Sequence, residues 1–118
     1  PKNNIFKAYK ISKRFDDDIS SVSAAFNIFI EDNIINKIMI SYGGMAEIPK
    51  RAYLCEKSLI KNEFIKDNIL NAAKFLEHDY SPIEDVRASK EYRIKIAKNL
   101  LLKCYLEIKN NKLIRINV

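Results

Sequence analysis

Residues 19–42 read I-S-S-V-S-A-A-F-N-I-F-I-E-D-N-I-I-N-K-I-M-I-S-Y. Phe26, Ile28 and Ile30 alternate with Asn27 and Phe29, a period of two rich in strand-forming residues. That pattern predicts a strand over 19–30 with one buried face and Phe29 on the other. Glu31-Asp32-Asn33 supplies a turn, because Asn and Asp side chains bond nearby backbone and tolerate left-handed geometry. Ile34 to Tyr42 is a second apolar run with Ile38 and Ile40 on one face. The two runs make a hairpin. Ile5 to Ile11 alternates in part and completes a three-stranded antiparallel sheet.

Between the first two strands lies Y-K-I-S-K-R-F-D-D-D-I-S, residues 9–20. Lys13 and Arg14 run through Phe15 into Asp16, Asp17 and Asp18. Neither helical nor strand periodicity explains the block. It reads as a charged, mobile loop, either a solvated turn or part of a site. Consecutive aspartates diverge, so convergence on a metal is not expected; they bond backbone amides instead. Lys10, near a strand end, extends into water unless a ligand meets it.

The second half is helical in period. Gly43-Gly44 marks a sharp exit or a close backbone approach. Pro49 suits the first turn of a helix, and Ala52, Cys55 and Leu59 fall on one face. A second helix is predicted over 63–77 with the stripe Ile65, Ile69, Ala72, Ala73 and Leu76. Ser81-Pro82-Ile83-Glu84 fits a capping box. The last helix carries Tyr92, Ile96, Leu100, Cys104 and Ile108, widened by Ala97, Leu101 and Tyr105. Asn110-Asn111 should stop it, leaving 112–118 as a tail that is an edge strand or a disordered end. Strands followed by helices give an α+β class: a three-stranded antiparallel sheet followed by a three-helix bundle, one domain over 1–118. The chain opens on Pro1 without Met and is expected to be a fragment of something longer.

Composition narrows the function classes. The chain has 118 residues, 47% hydrophobic and 31% charged, with a net charge of +6. Those values favour a single folded core over disorder. The positive excess raises nucleic-acid binding as an alternative, but the bases are scattered rather than clustered; a purely structural interaction module is the other alternative. Cys55 and Cys104 lack ligand spacing and sit in apolar runs, as buried thiols of a reducing, cytoplasmic compartment do. No apolar run approaches the ~18 residues of a membrane span. His78 sits beside Glu77 and Asp79 near a helix end, where it satisfies terminal carbonyls. No nucleophile motif, phosphate loop or metal motif is present, so no catalytic and no metal-ligating residues are assigned.

Three motifs in order carry a resemblance. They are residues 9–20 above, Y-G-G-M-A-E-I-P-K-R-A at 42–52, and D-V-R-A-S-K-E-Y-R at 85–93 with N-L-L-L-K at 99–103. Together, from Phe6 to Glu107, they resemble the C-terminal domain of the flavin-binding part of xanthine dehydrogenases and the related carbon monoxide dehydrogenase flavoprotein. The match looks most like the iron–sulfur/FAD subunit of split bacterial enzymes. The resemblance implies the same sheet-plus-bundle fold. It implies xanthine-to-urate oxidation, with electrons passing from molybdenum through 2Fe-2S centres to FAD and NAD. The molybdopterin and 2Fe-2S groups would lie outside this chain. FAD would be held mostly by an upstream flavin-binding domain, and a molybdopterin-binding subunit would be a partner. By resemblance, Lys10 matches a lysine that approaches the flavin, and Lys13, Arg14, Phe15, Asp16, Asp17 and Asp18 match a flavin-proximal loop. Phe15 stands where animal members carry a charge, so their switching behaviour does not transfer. Gly43, Gly44, Asp85, Arg87, Ser89, Tyr92 and Arg93 match motifs read as structural. The domain alone is expected to be inactive.

Overall fold

The computed structural model describes residues 4–15, 18–80 and 87–117, with side chains described over 4–12, 21–80 and 90–111. The order is β1 (Asn4–Phe15), β2 (Asp18–Glu31), β3 (Ile34–Gly43), β4 (Lys50–Arg51), α1 (Tyr53–Leu59), α2 (Lys66–Ala73), α3 (Leu76–Asp79) and α4 (Arg87–Asn117). The strands form one antiparallel sheet in the order β1-β2-β3-β4. The α+β class holds, with four strands where three were expected. Among the described residues, the helical part comprises α1, α2 with the single turn α3 following it, and the long α4.

One sheet face carries the core. Val22, Ala24, Phe26, Ile28 and Ile30 of β2 and Ile35, Ile38, Ile40 and Tyr42 of β3 are buried. They meet Cys55 and Leu59 of α1, Ile69 and Ala72 of α2, and Ala97, Leu100, Leu101, Cys104 and Ile108 of α4. Aromatic rings link the layers. Phe26, Tyr42 and Tyr80 stack edge-on in sequence at 5.9 and 5.7 Å, the separation at which such pairs attract. The turn between β2 and β3 places Asp32 and Asn33 at φ 52° and 61°, the left-handed region these residues accept.

Several expectations are corrected. The described part of the charged block is strand, not loop: β1 continues through Lys13, Arg14 and Phe15, and Asp18 already pairs with Phe15. Backbone pairing in a ribbon needs no side-chain alternation, so periodicity could not detect it. β3 ends opposite Ser23, and β1 and β2 pair on beyond that point as two strands. Pro49 does not open a helix. Lys50 and Arg51 first pair with Tyr42 and Ser41 as β4, and α1 begins at Tyr53.

The predicted 63–77 helix starts late and breaks once. Glu63 bridges to Ile34, and Phe64, not Ile65, is the buried residue. At 74–75 the chain tightens to three-residue hydrogen bonds, Lys74 N–H to Asn71 O and Phe75 N–H to Ala72 O. Asn110 and Asn111 do not stop α4, which runs to Asn117. Each Asn costs at most about 0.7 kcal/mol relative to Ala inside a helix, too little to terminate one already formed. The 112–118 tail is therefore not a strand over its described part. The capping box at 81–84 lies outside the described residues.

Candidate functional site: the open face of the sheet

Among the described residues, no helix covers the second face of the sheet. Its rows follow from register: Phe6–Asn27–Met39, Ala8–Ala25–Ser41 and Lys10–Ser23–Gly43, with Ser12–Ser21 beyond. Lys10 reaches this face because its neighbours are held on the other. Tyr9 donates a 2.5 Å hydrogen bond to Glu107 of α4. Its ring meets Phe26 at 6.1 Å, and Lys103 Nζ lies 5.4 Å from the ring centre. Burial, then the Glu107 hydrogen bond, push the Tyr9 hydroxyl well above its usual range, so it stays a donor. Ile11 also packs against the core. Strand alternation then turns Lys10 outward, where it is exposed.

Around Lys10 the floor is small and flat. Ser12 and Ser21 share a 2.8 Å hydroxyl hydrogen bond across the strands. A Cβ on Gly43 would crowd the Ser23 hydroxyl. Gly44, at φ +84°, has its backbone so near the Ser21 carbonyl that any Cβ would collide with it. The glycine pair is thus both the close approach and the sharp exit expected of it. An ammonium at the rim of a low Ser/Ala/Gly floor makes an open, flat surface, not an enclosing pocket.

Lys13, Arg14, Phe15 and Asp18 belong to the same hairpin, at the strand ends beyond Lys10. Asp16 and Asp17 lie outside the described residues, as does Asp85. Arg87 and Ser89 stand in the first turn of α4. Tyr92 and Arg93 are half-buried in that helix. His78 is exposed on α3.

Two buried carboxylates escaped sequence reasoning, and both are structural. Glu56 accepts hydrogen bonds from Arg51 at 2.7 and 3.0 Å and from the Ile40 amide at 2.8 Å. Arg51 is held charged above its ordinary range chiefly by that hydrogen bond. Asp79 accepts from the Leu54 and Cys55 amides at 2.8 and 3.0 Å, capping the start of α1. Lys50 Nζ donates to the Asp79 carbonyl at 2.8 Å, and the Tyr80 hydroxyl donates to the Lys50 carbonyl at 2.5 Å. With their acceptors occupied, these carboxylates tie β4 to α1 and α3. An Asp that caps a helix 25 positions upstream leaves no local sequence signal. Both cysteines are buried and unpaired. Burial pushes the Cys104 thiol up to about 12 and the Cys55 thiol well above its usual range, so neither is poised as a nucleophile.

Sequence comparison then decides the lineage: residues 7–108 match the CO dehydrogenase flavoprotein C-terminal domain. The chain belongs to that family. The glyceraldehyde dehydrogenase medium chain of Sulfolobus acidocaldarius is 31% identical over 100 residues, covering 85% of this chain and 36% of the relative. Xanthine dehydrogenase 1 of Arabidopsis thaliana is 29% identical over 110 residues, 89% of this chain and 8% of the relative. A Cu,Mo-CO dehydrogenase structure superposes at a TM-score of 0.71 and 22% identity, over 87% of this chain and 36% of that one. Quinoline 2-oxidoreductase from Pseudomonas putida 86 does so at 0.71 and 18%, over 88% and 36%. At those identities the structures establish the fold of this flavoprotein domain. The chain spans a minor part of the curated relatives it matches.

An open cleft of about 440 Å³ is lined by Glu77, Tyr80 and Lys98 among others. It belongs to the helical layer, on the other side of the sheet from Lys10, and Lys98 is already paired with Glu77 at 2.9 Å.

Proposed function

We propose that this domain walls the FAD of a molybdenum hydroxylase of the xanthine dehydrogenase kind. Most of the flavin pocket lies in an upstream flavin-binding domain, with 2Fe-2S and molybdopterin held elsewhere, the latter in a partner subunit. The observation that carries the reading is the family match combined with the outward placement of Lys10 over a Ser/Ala/Gly floor. FAD, when bound, supplies the step that passes electrons from the metal centres to NAD during xanthine oxidation. Lys10 holds a positive charge at the ring's edge, where it offsets negative charge on the reduced ring. The hairpin end from Lys13 to Asp18 lies along the same site and biases which charged groups approach it.

Two measurements test this. The isolated chain, titrated with FAD, shows little or no change in flavin spectrum or fluorescence; tight stoichiometric binding would contradict the single-wall reading. In the whole enzyme, Lys10→Ala slows flavin-to-NAD electron transfer about tenfold, equivalent to about 1.4 kcal/mol of barrier. Substrate binding at molybdenum is unaltered. An unchanged flavin-to-NAD rate removes the cofactor role of Lys10.

A second substrate is favoured by one observation, the 31% identity to a glyceraldehyde dehydrogenase chain. Assaying the whole enzyme with xanthine and with glyceraldehyde separates the two.

A further inference from the structure

The other end of the open face is built differently from the Lys10 end. Phe6 is 64% exposed and Met39 is 48% exposed. Asn27 lies between them in register, and Phe29 and Lys37 pair in the next row. The side-chain oxygen of Asn27 is shut off from solvent and lacks a hydrogen-bond partner among the described residues. An unpaired buried acceptor costs about 1–3 kcal/mol. A sheet face that met only water would carry polar residues in these rows.

We propose that the Phe6–Asn27–Met39 end of the sheet is the docking surface for the flavin-carrying domain. This rests on the reading that such a domain exists upstream. The partner surface is apolar over Phe6 and Met39, and a turn of the Asn27 amide presents its oxygen to an N–H or O–H donor. The available chain length agrees: the Sulfolobus medium chain and the CO dehydrogenase subunit each extend well beyond the 36% matched here.

Area separates this occupant from a second copy. Three strands ~4.8 Å apart over eight residues of ~3.3 Å rise make a face of roughly 400 Å². Counting both sides, about 800 Å² is buried, within the range of contacts between domains of one chain. It is about half of what a stable interface between separate molecules buries. A tethered domain also avoids much of the association entropy that a dimer must overcome. Among the described side chains of the face, the two cations Lys10 and Lys37 outnumber the one carboxylate, Glu31 at the strand end, so facing copies would carry like charge in excess.

The test uses thiol accessibility. Cys55 and Cys104 are each 0% exposed and stay silent to a maleimide, which doubles as a check on folding. Met39→Cys and Phe6→Cys are labelled in the 118-residue chain and in the assembled enzyme, with Phe75→Cys, 40% exposed in the helical layer, as the comparison site. Both sheet positions label readily in the chain alone and at least tenfold more slowly in the assembled enzyme, while position 75 slows far less. Equal labelling of position 39 in both forms overturns the proposal. So does protection of position 39 in a chain that sediments as a dimer, which would give the face to a second copy. Protection with an inert Lys10→Ala keeps the docking surface and removes the flavin role, so the two readings fail separately.

Discussion

The two faces of one sheet divide this protein. On the covered face, Phe26, Ile35, Ile40 and Tyr42 are 0% exposed. On the open face of the same sheet, Phe6 is 64% exposed and Met39 48% exposed. Alternation therefore produced a sharp core on one side but did not produce an ordinary polar surface on the other. Phe, Met, Ala, Ser and Gly in those rows mark a surface made for contact, and the helices that stabilise the domain leave it free.

Phe26→Ala should have the largest effect, about 3–5 kcal/mol by urea unfolding, as expected for a buried ring that leaves a cavity. A loss below 1 kcal/mol would deny that the covered face carries the stability. Next comes Asp79→Ala. It leaves two amides of α1 without their cap and should cost about 2–3 kcal/mol; an unchanged unfolding midpoint would mean that water replaces the carboxylate at no cost.

Third is a pH effect confined to the covered side. Burial raises the Cys104 thiol to about 12, while an unfolded thiol ionises near pH ~8.5. The folded state thus keeps a proton that the unfolded state releases. The stability from this group is complete below pH ~8.5 and falls by up to about 1.4 kcal/mol per pH unit above it, until the folded thiol also ionises. Cys104→Ala should flatten that decline, and identical slopes in the two proteins would rule the group out. Smallest is Phe6→Ala, which should change the stability of the chain alone by no more than about 0.5 kcal/mol. A cost near that of Phe26→Ala would show that the open face is core after all.

How much was legible depends on whether a residue's environment is set locally. Phe26, Ile28, Ile38 and Ile40 were readable because a strand with one buried face must alternate. Ala52, Cys55 and Leu59, and the Leu100–Cys104–Ile108 stripe, were readable for the corresponding helical reason. Lys13, Arg14, Phe15 and Asp18 misled because their pairing is backbone to backbone and leaves no period. β4 was missed because two residues cannot show one. Phe64 displaced Ile65 from the core because its amide bonds the Asn33 carbonyl in the β2–β3 turn, a contact 31 positions away. The Lys10 assignment came from motif resemblance; what the fold added was its direction.

The sequence by itself determined the α+β class, the two central strands, the core stripe of α4 and the burial of both cysteines, since each follows from spacing along the chain. Only the tertiary structure decided that the charged block extends a hairpin and that Glu56 and Asp79 are spent as internal anchors. It also placed Lys10 and the Phe6–Met39 patch at opposite ends of one uncovered face. Those outcomes depend on which strands pair, in what register, and which face the helices cover. Such long-range choices are settled when the core closes, and spacing within any single segment does not encode them.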